Sequence, residues 1–170
     1  MKKLYLIILA LAMVFSITAC QSNDVDSNPA ENNNLEGSLE SILDKIYETV
    51  DVDDSYRDYI ENRLATTEIT AENAGYFLGD EKIEFESAIA SEPMMTSSAY
   101  SLCLVRVKEG ADIEKIKSDI KENVDPRKWI CVDVDPSNVI VDNIGDVVIL
   151  IMNDDIGGSL HDAFLQLKEK

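Results

Sequence analysis

Residues 100–134 read YSLCLVRVKEGADIEKIKSDIKENVDPRKWICVDV, and the change of period inside this stretch decides the fold class. From Tyr100 to Lys108 the pattern has period two, with Leu102 and Leu104 on one face and Cys103, Val105 and Val107 on the other. A strand apolar on both faces belongs in the middle of a sheet. After Glu109-Gly110, Ile113, Ile116, Ile120 and Val124 recur at helical spacing among Glu, Lys and Asp, the clearest amphipathic helix in the chain. Asp125-Pro126 stops it, because the Pro126 ring disfavours helical geometry in the residue before it. Trp129 to Val134 then reads as another strand. If the two strands share a sheet, the connection is a right-handed crossover and they run parallel.

On the C-terminal side, Asp135 to Asn138 reads as a turn, Val139 to Asp142 as a short strand, Asn143 to Asp146 as a turn and Val147 to Met152 as a strongly apolar strand. Gly157-Gly158 reads as a turn. Ser159 to Lys168 closes the chain as a helix, with Ser159 the candidate N-cap. On the N-terminal side, Lys82 to Ala90 alternates as a half-buried strand, and Ser91 to Ser98 is a connection. Ile69 to Gly79 is read mostly as loop. Leu35, Leu39, Ile42, Leu43, Ile46 and Val50 mark a first helix, and Tyr56, Ile60 and Leu64 a shorter second one. The expectation is one α+β domain over residues 38–170, with a mixed, mostly antiparallel sheet of four to five strands and helices mainly on one face.

The chain carries 33 acidic and 15 basic residues, a net charge of −18. Such a surface repels nucleic acid and anionic headgroups, so no nucleic-acid partner is expected. Cationic partners remain compatible with it. An apolar content of 45% is enough for a folded core.

At the N-terminus, Lys2 and Lys3 precede an apolar run from Leu4 to Val14 that continues through Phe15 and Ile17 to Thr18-Ala19-Cys20. This is the layout of a secretory leader. The run of about 14 residues would span about 21 Å as a helix, whereas a bilayer core needs about 20 residues. Ile17-Thr18-Ala19-Cys20 resembles the lipobox of bacterial lipoprotein signal peptides. The resemblance implies removal of residues 1–19, a diacylglycerol on the sulfur of Cys20 and residence on the extracytoplasmic face of the cell membrane. Two acyl chains hold stably where one holds marginally. Losing Lys2 and Lys3 would take the net charge to −20. Residues 20–37, rich in Asn, Asp, Ser and Glu, read as a tether with a reach of about 20–25 Å.

From about Ala71 onward the chain resembles a domain family of small bacterial lipoproteins to which no activity is assigned. The resemblance is carried by Tyr76-Phe77-Leu78-Gly79, Ser91-Glu92-Pro93-Met94-Met95, Val105 to Asp112, Asp125 to Trp129 and Asn143 to Asp146. It implies export and a shared fold, and it brings no catalytic residues with it.

The residues themselves offer few candidates for chemistry. His161 is the one histidine and reads as a surface residue. Asp51, Asp53 and Ser55 echo a calcium loop, but Tyr56 stands where that loop requires glycine and Asn62 where it requires glutamate. Asp154-Asp155 reads as turn or helix-start carboxylates. Cys103 and Cys131 read as buried thiols, with a disulfide the alternative. No catalytic residue, metal site or cofactor is expected. Met94, Met95, Arg127 and Trp129 mark the first surface to examine for a ligand, against core packing for Trp129 and the methionines. The expected function is a lipid-anchored, non-catalytic binding or scaffolding domain with an envelope protein as partner. A small-ligand or cation-binding lipoprotein is the alternative.

Overall fold

The computed structural model describes residues 33–169. The leader, the lipobox with Cys20 and the tether as far as residue 32 lie outside the described residues. The elements run α1 (Leu39–Thr49), α2 (Asp54–Arg63), β1 (Leu64–Glu68), α3 (Ala74–Leu78), β2 (Ser87–Pro93), β3 (Ser101–Arg106), α4 (Ile113–Asn123), β4 (Val139–Ile144), β5 (Val147–Met152) and α5 (Gly157–Leu165). Short 3₁₀ turns occupy Pro136–Asn138 and Gln166–Glu169. The five strands form one sheet in the order β1-β2-β3-β5-β4, with every adjacent pair antiparallel. The class is α+β, as the order of periods suggests.

Local sequence explains where the helices begin. Ser38 caps α1 by accepting the Ser41 N–H, Asp53 caps α2 by accepting that of Tyr56, and Asp112 caps α4 by accepting that of Lys115. α1 buries Leu39, Ile42, Leu43 and Ile46, and α4 buries Ile116 and Ile120, the stripes their spacing dictates. α3 ends at Gly79, whose φ of 85° is a left-handed cap that glycine adopts without strain.

The sheet has an apolar layer on each face. Leu102, Leu104, Ile149 and Ile151 meet α1 and α5 on one face; Cys103, Val105, Val148 and Leu150 meet α3 and α4 on the other. The helices therefore divide between the two faces instead of gathering mainly on one. The reason lies in β3 and β5: all six residues of β5 are buried, and a strand apolar on both sides leaves uncovered hydrocarbon unless both sides are packed.

Several boundaries differ from the sequence reading. Trp129 to Val134 forms no strand; the Val134 N–H returns to the Pro126 carbonyl and Cys131 takes a φ of 61°. A short apolar run can satisfy its burial from a loop as well as from a ladder. The strand that follows α4 in the sheet is instead Val139–Ile144. Being antiparallel to β5, which is antiparallel to β3, β4 runs parallel to β3 with β5 between them. Leu64 opens the edge strand β1 instead of closing α2. β2 begins at Ser87, extends through Pro93 and leaves Ile83 and Phe85 packing from a loop. Ala74–Leu78 is a helical turn within the stretch read as loop. Ser159 lies inside α5, whose first turn is Gly157-Gly158 and whose N-cap is Ile156, with no side-chain cap bond; Asn153 holds the turn before it, accepting from the Asp155 and Ile156 N–H groups.

Candidate functional site

The C-terminal end of β2 and the loop after α4 meet at one end of the sheet. The Ile130 N–H donates to the Thr96 carbonyl at 2.9 Å, and Lys128 Nζ lies 2.6 Å from Glu92 Oε1. The structure thus joins the Ser91–Ser98 connection to the Arg127–Trp129 turn. What fills the join is the Lys128 side chain itself, only 4% exposed. Its ammonium sits 4.5 Å from the Tyr76 ring centroid, 5.3 Å from that of Phe77 and 5.4 Å from that of Trp129. The approach to Glu92 is close but not aligned as a hydrogen bond, so the contact is ionic. Glu92 is held in turn by the Ser101 hydroxyl, which donates at 2.7 Å.

These neighbours set the protonation of the groups around them. Burial, followed by the Glu92 charge, raises the Tyr76 phenol above its ordinary pKa. Burial pushes the Cys103 thiol up to about 11, with Lys128 and Ser101 pulling the other way. A thiol so placed is a packing group and a poor nucleophile.

The segments that meet here carry exposed hydrocarbon. Tyr76 is 48% exposed, Met94 63%, Met95 67% and Ile130 63%. They are four of the five large hydrophobic side chains exposed among the described residues, the fifth being Leu165 on α5. Met94 and Met95 follow β2 into solvent instead of filling the core. Arg127 is exposed, its Nε 3.9 Å from Asp125 Oδ1. Trp129 is buried in the second apolar layer, so its ring belongs to the core and does not face a ligand. The sequence reading took Lys128 as a solvated cation beside Trp129 and passed over Tyr76 and Ile130 as surface residues. Only their clustering gives them meaning, and clustering across 54 positions, from Tyr76 to Ile130, leaves no local pattern.

The remaining candidates are engaged elsewhere. His161 Nε2 lies 2.8 Å from Asp142 Oδ2, linking α5 to β4. Burial works to raise the Asp142 carboxyl, but the His161 contact, the Asn143 N–H and the Lys117 ammonium outweigh it and hold its pKa below the ordinary value. Asp154 Oδ1 accepts from the Asp135 N–H and the Asn138 amide, a turn carboxylate. Asp155 accepts the Tyr56 hydroxyl, and burial followed by that bond pushes Tyr56 up to about 12. A cavity of about 420 Å³ opens here, lined by Tyr56, Tyr59, Ser98, Asp133, Asn153 and Asp155. Among the described residues no group of three or more His, Cys, Asp or Glu is arranged to hold a metal ion. Cys103 and Cys131 are both free; Cys131 is exposed, not buried as its apolar neighbours suggest, because the left-handed turn at that residue rotates it outward.

Compared with known proteins, the chain matches no family model, and no curated protein or solved structure is significantly similar to it. The resemblance from about Ala71 onward therefore stands on the quoted residues alone.

Proposed function

We propose that this chain is a lipid-anchored extracytoplasmic binding domain, tethered through Cys20, that docks an envelope protein on the apolar surface formed by Tyr76, Met94, Met95 and Ile130. The observation that carries the docking surface is the exposure of those four side chains on the segments that meet at a join already plugged by Lys128. A plugged join with exposed hydrocarbon around it suits a broad protein contact better than a small ligand, which needs a concave site. Methionine side chains adapt to a partner surface without fixed shape. The excess of acidic residues favours a partner whose contact region is apolar at the centre and basic at the rim.

A photo-crosslinking residue placed at Met95, and separately at Ile130, tests the reading on intact cells. The expected result is the same discrete crosslinked species from both positions, absent when the probe stands at Glu48 on α1 and lost from the Ile130 position when Met94 and Met95 are both changed to Asp. Equal crosslinking from Glu48 would remove the surface from consideration. The anchor is tested separately: Cys20→Ser should abolish incorporation of a fatty acid analogue.

A further inference from the structure

The two edges of the sheet are treated differently. Along β4, Lys121 Nζ donates to the Val139 carbonyl, Lys117 Nζ reaches Asn143 Oδ1 at 3.0 Å, and His161 reaches Asp142. Polar side chains from both flanking helices, two of them lysines, thus close that edge, a common defence against strand addition. Along β1 there is no such defence: Leu64-Ala65-Thr66-Thr67-Glu68 contains no Lys, Pro or Gly, and its last four residues are exposed. The Arg63 carbonyl accepts the Met94 N–H and the Ile69 N–H donates to the Ala88 carbonyl, so the odd-numbered residues turn their backbone groups toward β2. Leu64, Thr66 and Glu68 therefore turn theirs outward. Asn73 takes the Glu68 carbonyl at 3.1 Å. The Thr66 N–H and carbonyl are left at the centre of an open edge.

Beside this edge, on the face that carries α1, lies a cavity of about 510 Å³ lined by Thr66 and Glu68 of β1, Ile89 of β2, Glu40 of α1 and Arg106 of β3. Alternate side chains of an added strand would point to that same face. Glu40 and Glu68 are exposed carboxylates. Arg106, the cation beside them, is committed elsewhere: its guanidinium donates to the Leu35 and Gly37 carbonyls at 2.8 and 3.1 Å and lies 3.4 Å from Asp146. The cavity thus presents negative charge to whatever enters it.

We propose that the outer edge of β1 accepts an extended basic segment of a partner protein as a sixth strand, with a Lys or Arg side chain of that segment entering the cavity between Glu40 and Glu68. Main-chain bonds to Thr66 supply affinity and the cavity supplies selectivity, the division of labour in strand addition. A second copy of the chain fits poorly, because it brings another net charge of −18 to the same edge. The edge lies outside the apolar surface proposed above and stands or falls independently of it.

The probe is a fluorescent, end-capped Thr-Val-Lys-Val-Thr-Val peptide, titrated against the full chain in detergent. Expected are a dissociation constant below about 1 mM, slowed hydrogen exchange at the Thr66 amide, and a loss of at least about tenfold when Glu replaces the peptide Lys. Thr66→Pro should cause a similar loss while sparing the ladder, since its N–H points outward. A peptide N-methylated at alternate amides removes the same bonds without altering the protein, and covers the case in which the proline variant misfolds. Absence of binding to about 1 mM, protection confined to residues away from β1, equal binding of the Lys and Glu peptides, or a chain dimer dissolved by Thr66→Pro would each overturn the proposal.

Discussion

Lys128→Met perturbs the point on which the loop after α4 is fastened to the sheet. The native ammonium is almost wholly buried, 2.6 Å from Glu92, with three aromatic rings around it. Breaking a buried ion pair by removing one partner costs about 3–5 kcal/mol, because the other charge is left without compensation. Glu92 is less buried than Lys128 and keeps the Ser101 hydroxyl, which places the cost near the lower end, about 3 kcal/mol. Methionine retains the apolar volume of the lysine stem, so the loss reports charge and not a cavity. For a folded unit of this size the melting temperature should fall by about 10 °C. Arg127→Ala, one residue away but solvated, should change stability by no more than about 0.5 kcal/mol. The double variant Lys128→Met with Glu92→Leu should recover most of the loss, since apolar replacement of both partners is often neutral. Urea denaturation of the four proteins measures these values. If Lys128→Met and Arg127→Ala prove equally mild, the buried plug is not a fastening point and the reasoning fails.

Gly79→Ala should destabilise the fold by about 2–4 kcal/mol, read from the denaturation midpoint. Besides the positive φ, a Cβ there would meet the Asn123 carbonyl carbon at 2.3 Å. Asp142 has a folded-state pKa below its ordinary 3.8, so its contribution is present above that value and lost as pH falls through the lower folded value. Asp142→Asn should therefore flatten the acid-unfolding profile below about pH 4 and leave neutral-pH behaviour on the same slope as the parent. In the chain carrying Cys20→Ser, a thiol reagent should label Cys131 rapidly and Cys103 only after unfolding. Two fast thiols, or none in denaturant without reductant, would contradict the assignment.

What the sequence made legible follows the length of each pattern. β3, with Leu102 and Leu104 opposed to Cys103 and Val105, and α4, with its isoleucines at helical spacing, carry enough residues for their period to be unambiguous. β1 was illegible because Ala65, Thr66 and Thr67 lie on an exposed edge, where neither face imposes alternation. Trp129 to Val134 looked like a strand because burial of Trp129 and Val134 selects apolar residues whatever the backbone does. The pairing of the Ser91–Ser98 and Arg127–Trp129 segments was suggested by their composition. Their chemistry was not, since the plugging cation is Lys128 and the exposed hydrocarbon includes Tyr76, far away in the chain. The open β1 edge is likewise a property of the strand order, which only the register reveals.

The proposed anchoring of this domain at the membrane through Cys20 is tested most directly by intact-mass analysis of the purified protein. It should show a chain beginning at Cys20 with the added mass of a diacylglyceryl group and any further acyl chain. Retention of the first nineteen residues, or an unmodified thiol at the new terminus, would contradict it.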